Sequence, residues 1–420
     1  MSQDDGSRAA GSRRVQPGLL VQKYSVSVRD HRGMLNVCRR IKRTLDRGQR
    51  VVVVISALGQ DTDNLAEFAY RMKGRLPRPP VRELDMLMAS GESTAAPLVA
   101  IGLQGLGVPA IALSGPQAGI ETDSRYGNAE IERVRPVRVL RALRDGLVAV
   151  VAGFQGATPD LDVTTLGRAG GDTTAVRLAA ELGAEVCEIY TQVPGIMTAD
   201  RHLVGDVRVV RHVTYEEALE LAATGLVVSQ PRAVEIAGQF GVPIHLRPVQ
   251  TADEGTLIVG ELPDSDRGWV TAVAHRDRIG KVRVTGVPDR PGGGADVLEP
   301  LRGHGISVEV IAHVARGDLA FMVRDHDLER AVDAITPAVR AVGGTVTHDA
   351  DLAKISVVGS GARSRCGVAA RMFRTLADAR INIETIATSD VQITCIIERD
   401  GHERAVRALH SAFGLGRGHT

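Results

Sequence analysis

Residues Asp162-Val163-Thr164-Thr165-Leu166-Gly167-Arg168-Ala169-Gly170-Gly171-Asp172-Thr173-Thr174-Ala175 place a glycine-rich turn at the start of a helix expected over 173–182. Free N–H groups at a helix start carry partial positive charge and attract anions. Arg168 in the turn offers a bidentate fork for a carboxylate, and Asp172 stands where an ammonium group can be paired. The set suits an amino acid. On this stretch alone an ordinary glycine loop with an N-capping Asp172 remains an equal alternative.

Outward from the turn, β-branched runs alternate with helical patterns. Strands are expected at 19–24, 51–55, 110–113, 147–151, 185–190 and 242–246. Helices are expected at 34–45, near 65–72, and at 84–103, 174–182 and 232–240. Continuous apolar strands separated by amphipathic helices predict an α/β fold with a mainly parallel sheet covered on both faces. Ligands then belong at the carboxyl ends of the strands. Residues 1–17 are polar and aperiodic, which predicts a disordered tail.

After residue 259 the pattern changes, and Pro263-Asp264-Ser265-Asp266 marks a linker. A first βαβ-like unit runs from Lys281-Val282-Arg283-Val284 through Pro288-Asp289-Arg290-Pro291-Gly292 and a helix to a strand at 306–310. A second runs from Ile355-Ser356-Val357-Val358 through a glycine-rich turn and a helix to a strand at 381–384. Their shared order makes them an internal repeat, read either as a duplicated interaction module or as a pair of small-ligand sensors.

With 420 residues, 44% of them hydrophobic, the chain has material for roughly two to four soluble domains. A net charge of +1 and 3% aromatic content disfavour nucleic-acid binding, which draws on a positive field and on rings for stacking. The apolar runs are strand-length and the N-terminus is polar, so no membrane association is expected and the cytoplasm is the expected location. Cys38, Cys187, Cys366 and Cys395 match neither metal nor disulfide spacing, and no structural metal is expected. Lysine occurs only at Lys23, Lys42, Lys73, Lys281 and Lys354.

Lys23-Tyr24, the 51–59 strand and turn, Arg82-Glu83-Leu84-Asp85-Met86-Leu87, Gly91-Glu92, Gln117-Ala118-Gly119-Ile120, Gly153-Phe154-Gln155-Gly156, residues 164–172, Cys187-Glu188-Ile189-Tyr190-Thr191 and Val242-Pro243-Ile244-His245 form an ordered series of motifs. On them the chain resembles aspartate kinase of the amino acid kinase superfamily, followed by two ACT regulatory domains. The resemblance implies an amino acid kinase domain at 18–262 and ferredoxin-like ACT domains at 263–348 and 349–420. It implies transfer of a phosphoryl group from ATP, with Mg2+, to the side-chain carboxylate of L-aspartate, giving 4-phospho-L-aspartate. By the same resemblance Lys23 and Asp172 are catalytic. Glu92 meets the substrate ammonium, Arg168 clamps a carboxylate, and Asp172 and Thr165 complete the substrate site. Ser25, Thr191, Gln192, Met197 and His202 face the nucleotide. In the ACT repeats, Asp289, Gly292, His313 and Asn382 hold an amino-acid effector, lysine or threonine in this family, and the repeats join chains into a homo-oligomer.

The nucleotide side departs from the family pattern. Where the family has a Gly-Gly pair after Lys-Tyr, this chain has Ser25-Val26, which fills space that lets backbone N–H groups approach phosphates. Gln192 replaces an aspartate, His202 an arginine, and Val227 a phosphate-binding lysine, with no lysine between 73 and 281 to substitute. Losing one phosphate-directed cation costs about 3 kcal/mol, or around a hundredfold in rate. Arg125, Arg201, Arg208 and Arg232 are the candidate replacements. Two readings follow: a working aspartate kinase, and a pseudokinase that binds aspartate or an effector amino acid and regulates a partner.

Overall fold

The computed structural model describes residues 15–25, 31–59, 61–224, 231–263, 268–288, 290–315, 317–361 and 366–416, with backbone alone at 61, 312–315 and 366. The described residues fall into two compact units, those within Met1–Ile196, Val209–Ala222 and Val227–Pro263 and those within Met197–Arg208, Ala223–Leu226 and Asp264–Thr420.

In the first unit the chain runs β1 (Gln16–Tyr24), α1 (His31–Leu45), β2 (Arg50–Ile55), α2 (Asp61–Met72), α3 (Val81–Met88), α4 (Ser90–Gly105), β3 (Ala110–Leu113), β4 (Ile120–Thr122), β5 (Ile131–Val134) and α5 (Val137–Arg144). It continues through β6 (Val148–Ala152), β7 (Gln155–Ala157), β8 (Val163–Thr165), α6 (Gly170–Leu182), β9 (Ala184–Thr191), β10 (His212–Thr214), α7 (Tyr215–Ala223), α8 (Pro231–Phe240), β11 (Ile244–Pro248) and β12 (Thr256–Val259). The main sheet has the order β10-β12-β11-β9-β1-β2-β6-β3, and every pairing in it is parallel except β11 with β12. Val51 through Ile55 are all buried, as is the whole of β6, because helices cover both faces of a parallel sheet. On one face α1 and α4 close a core that includes Val53, Ile55, Ile41, Val99 and Leu103. On the other, α6 lies against β1 and β9.

Two features of this unit were hidden from periodicity. The helix expected at 84–103 is divided into two, α3 and α4, at Ala89, whose carbonyl accepts a hydrogen bond from Gln155 Nε2 at 2.7 Å. A second sheet, ordered β5-β4-β7-β8, is built of strands of three or four residues, too short to show alternation.

The second unit contains β13 (Ala272–Thr285), α9 (Gly293–Gly303), β14 (Val310–Ala315), β15 (Asp318–Arg324), α10 (Leu328–Ala341), β16 (Thr345–Val358), α11 (Cys366–Asp378), β17 (Thr385–Thr388), β18 (Gln392–Glu398) and α12 (His402–Ala412). All its strands join one antiparallel sheet, β14-β15-β13-β16-β18-β17. The two repeats therefore interlock. The later half of β13 pairs with the start of β16, while Ala272 through Arg276 pair with Val358 through Lys354. The position expected to divide the repeats, between 348 and 349, lies inside β16.

The strands expected at 306–310 and 381–384 begin later, at Val310 and Thr385. In both repeats the early part of the apolar run is a helix exit. Gly305 and Arg380 adopt positive φ of 66° and 56°, after which Ile306 N–H bonds Leu301 O at 3.0 Å and Ile381 N–H bonds Leu376 O at 2.9 Å. Such closures satisfy the last carbonyls of a helix and bury the following apolar residue.

Candidate functional site

Alternation along β1 determines which way its lysine faces. Gln22 donates to Thr44 Oγ1 on α1 at 3.1 Å, and Tyr24 stacks on Tyr190 with ring centroids 4.5 Å apart, so Lys23 between them projects to the opposite face, toward α6. Its Nζ lies 2.7 Å from Asp172 Oδ1 and donates to Ser25 Oγ at 2.6 Å. Both members of the pair are almost fully buried, at 6% and 3% exposure. Gly171 makes this approach possible, since a Cβ there would sit 3.0 Å from Ser56 Oγ and 3.3 Å from Lys23 Cε.

The helix carrying Asp172 begins at Gly170, three residues before the expected start, and no side chain caps it. Asp172 is thus the third helical residue rather than an N-cap, with its carboxylate committed to Lys23. The preceding turn is wound tightly. Gly167 has φ 75° and Ala169 φ 53°, the latter a left-handed conformation that costs a residue bearing a Cβ about 1 kcal/mol. Arg168 is exposed at the tip of this turn, and its guanidinium has no partner among the described residues. The free guanidinium, the uncapped N-terminus of α6 and the acidic member of the buried ion pair lie within the five residues 168–172.

Glu92 enters from α4. Gly91 lets that helix approach the loop after β2, where an added Cβ would come within 2.9 Å of Ala57 Cβ. Ala57 N–H donates to Glu92 Oε1 at 3.0 Å, while Oε2 is buried with no hydrogen-bond partner. Burial pushes the Glu92 carboxyl up to about 7, against the opposing pull of the Ala57 N–H and of Lys23. A buried carboxylate oxygen without a donor is costly, and a ligand ammonium is a group that relieves it.

A third acidic residue, Asp85, holds the turn from beneath. It is 1% exposed, and its carboxylate accepts from Thr165 N–H at 2.8 Å, Thr165 Oγ1 at 2.7 Å and Gly127 N–H at 2.8 Å. Thr165, expected to touch substrate, has its hydroxyl committed to Asp85. Sequence reading gave Asp85 no role; an acidic residue within an apolar helix was the available signal.

The other expected residues are more dispersed. At the end of β9, Thr191 Oγ1 turns back onto Val193 O at 2.8 Å, and Gln192 Oε1 accepts from Gln250 Nε2 at 3.1 Å. Met197 and His202 belong to the second unit, where Met197 packs against a core with Val273, Ile355 and Met372 and His202 is exposed. Asp289, the side chain of His313, and the altered positions Val26 and Val227 lie outside the described residues. Gly292, at φ 93°, precedes α9, beside a cavity of about 100 Å3 lined by Val287, Pro288, Arg290, Val297 and Asp318 among others. Asn382 is exposed between α11 and β17.

The profile of the amino acid kinase family matches residues 19–248, and that of an ACT domain residues 355–413. An aspartokinase of Thermus thermophilus is 42% identical over 404 residues, covering 94% of this chain and 99% of that protein. Among solved structures, E. coli aspartokinase III in complex with aspartate and ADP shares the fold, with a TM-score of 0.76, 22% identity, and coverage of 94% of this chain and 99% of that one. The same enzyme in complex with lysine and aspartate aligns with a TM-score of 0.76 and 23% identity, over 94% and 99% of the two chains.

Proposed function

This chain belongs to the aspartokinases of the amino acid kinase family, and from that premise we propose which of its residues bind L-aspartate and move the phosphoryl group. The reaction is ATP-dependent phosphorylation of the aspartate side-chain carboxylate, giving 4-phospho-L-aspartate and ADP. The observation that carries the assignment is the buried Lys23–Asp172 pair at the uncapped start of α6, with the orphaned Glu92 Oε2 and the free Arg168 completing the site. Arg168 receives one carboxylate of aspartate as a bidentate pair, and Glu92 receives the ammonium. These contacts leave the second carboxylate directed at ATP. One of its oxygens attacks the γ-phosphorus, the bond from that phosphorus to the β–γ bridging oxygen breaks, and ADP departs with the electron pair.

Lys23 faces the charge that spreads over the transferred group, which is how phosphoryl transfer is accelerated. Asp172 keeps that ammonium aimed and charged in a site that otherwise penalises an ion. Magnesium accompanies ATP in this chemistry and neutralises phosphate charge. No group of three or more candidate metal ligands occurs among the described residues, and an ion that arrives with ATP would be held mainly by phosphate oxygens and water. The alternative of a pseudokinase, drawn from the altered nucleotide side, has no observation in its favour.

In the second unit an amino-acid effector, lysine or threonine, is the proposed ligand beside Gly292. Pairing of two chains is supported by Ile311 and Ile386, which are 56% and 46% exposed on the edge strands β14 and β17. The cytoplasm, where ATP and free amino acids meet, is the proposed setting.

The test is Lys23→Met beside Lys23→Met/Asp172→Asn. Breaking a buried pair costs about 3–5 kcal/mol, whereas neutralising both partners costs far less. The double variant should therefore recover the melting temperature lost in the single one while turnover stays at least a hundredfold down. Turnover near wild type in either folded variant removes Lys23 from the reaction.

A further inference from the structure

Building on the aspartokinase reading, we propose that Arg232 supplies the phosphate-directed cation that Val227 does not. Arg232 is the second residue of α8, and one of its terminal nitrogens donates to Ala129 O at 3.2 Å. Ala129 N–H in turn donates to Thr165 O at 2.9 Å, and Gly167 sits so close to Asn128 that a Cβ on it would come within 2.7 Å of the Asn128 side-chain oxygen. Arg232 is thereby tied to the loop that flanks the substrate turn.

The helix direction agrees. α8 packs on α6, and the Arg177 guanidinium in the second half of α6 lies 4.6 Å over the ring of Phe240, the last residue of α8. With the far ends of the two helices together and Arg232 reaching the Thr165 loop, both helices present their N-termini on the side where the parallel strands end. That is where phosphates are received in such folds.

Other arginines of the first unit are committed to partners within it. Arg125 is paired with Asp123 and Glu130 at 2.5 and 2.7 Å. Arg247 is paired with Glu188 at 2.8 Å, and Arg40 donates to Val249 O and Thr251 O. Arg201 and Arg208 belong to the second unit. Arg232 has no carboxylate partner among the described residues, and a guanidinium with five donors retains most of them after one bond to a carbonyl. Its N–H groups stabilise the γ-phosphoryl group as the bond to the bridging oxygen lengthens, and no proton moves in the transfer.

The experiment compares wild type with Arg232→Gln, Arg232→Lys and Arg232→Gln/Val227→Lys. Titration calorimetry with MgATP alone and with L-aspartate alone is followed by steady-state kinetics. Arg232→Gln, which keeps a donor for Ala129, should weaken MgATP binding at least tenfold and lower kcat about a hundredfold. Aspartate affinity should stay within twofold and the melting temperature should not move. Arg232→Lys and the Val227→Lys double variant should each regain most of the loss. MgATP affinity within twofold of wild type in Arg232→Gln overturns the proposal. So does a parallel loss of aspartate affinity and thermal stability, which would make Arg232 a brace for the 127–129 loop. Because nucleotide binding is read without turnover, a wild-type protein that binds MgATP but makes no product would sink the functional reading and leave this one standing or falling on its own titration.

Discussion

On the proposed assignment, Glu92 should make aspartate binding dependent on pH in a window where aspartate itself keeps its charges. Its carboxyl is pushed from the ordinary 4.5 up to about 7, chiefly by burial, so at pH 6 about one molecule in ten carries the anion that an ammonium requires, and at pH 8 about nine in ten do. Aspartate affinity should therefore be about tenfold weaker at pH 6 than at pH 8, a difference of about 1.4 kcal/mol. In Glu92→Gln the dependence should vanish, with affinity at pH 8 reduced by about 1.5–3 kcal/mol for the lost charged hydrogen bond. Stability should move the opposite way. A raised carboxyl stabilises the fold fully below pH 4.5 and loses that contribution as pH climbs through 7. The shift corresponds to about 3 kcal/mol, so Glu92→Gln should melt higher than wild type at pH 8 and alongside it at pH 4.5. Titration calorimetry with L-aspartate across pH 6–8.5, paired with thermal melts of the free protein, reads both effects. A wild-type affinity that is flat across that range, or a Glu92→Gln protein that binds aspartate within threefold of wild type at pH 8, refutes the reasoning.

Three further outcomes are expected. Arg168→Ala should weaken aspartate binding by about 2 kcal/mol with an unchanged melting temperature, since the guanidinium is exposed and makes no bond to the described residues; calorimetry showing unaltered affinity would take Arg168 out of the site. Asp85→Asn leaves Thr165 and Gly127 competing for one acceptor oxygen, and should cost about 2–4 kcal/mol in chemical denaturation together with a fall in kcat; full activity at wild-type stability would show that the turn holds itself. Lysine and threonine, titrated singly and together, should raise the melting temperature of the second unit's transition and alter the dimer's dissociation, whereas a monomer at every concentration with no shift from either amino acid would leave the repeats without a regulatory ligand.

The sheet was legible because its strands are unbroken apolar runs, and Val51 through Ile55 admit little else between two amphipathic helices. The candidate site was legible in part: the glycine-rich turn pointed to Arg168 and Asp172, and the family resemblance added Lys23 and Glu92, of which the structure pairs Lys23 with Asp172. What escaped were contacts made across long sequence separations. Asp85 reaches Thr165 eighty positions away, and Gln155 donates to the carbonyl of Ala89, between α3 and α4, sixty-six positions back; neither has a periodic signature. The interlocking of the repeats was hidden because β13 and β16 are each long enough to serve two halves of one sheet, whereas a reading of consecutive βαβ units follows one repeat at a time.

Whether this chain makes an acyl phosphate is tested most directly by hydroxylamine trapping in mixtures of the purified protein with L-aspartate and MgATP. Aspartyl hydroxamate should accumulate with time and enzyme concentration, require both substrates, and disappear in the Lys23→Met/Asp172→Asn variant. Saturable aspartate binding with no hydroxamate above the ATP-only baseline would contradict the kinase account.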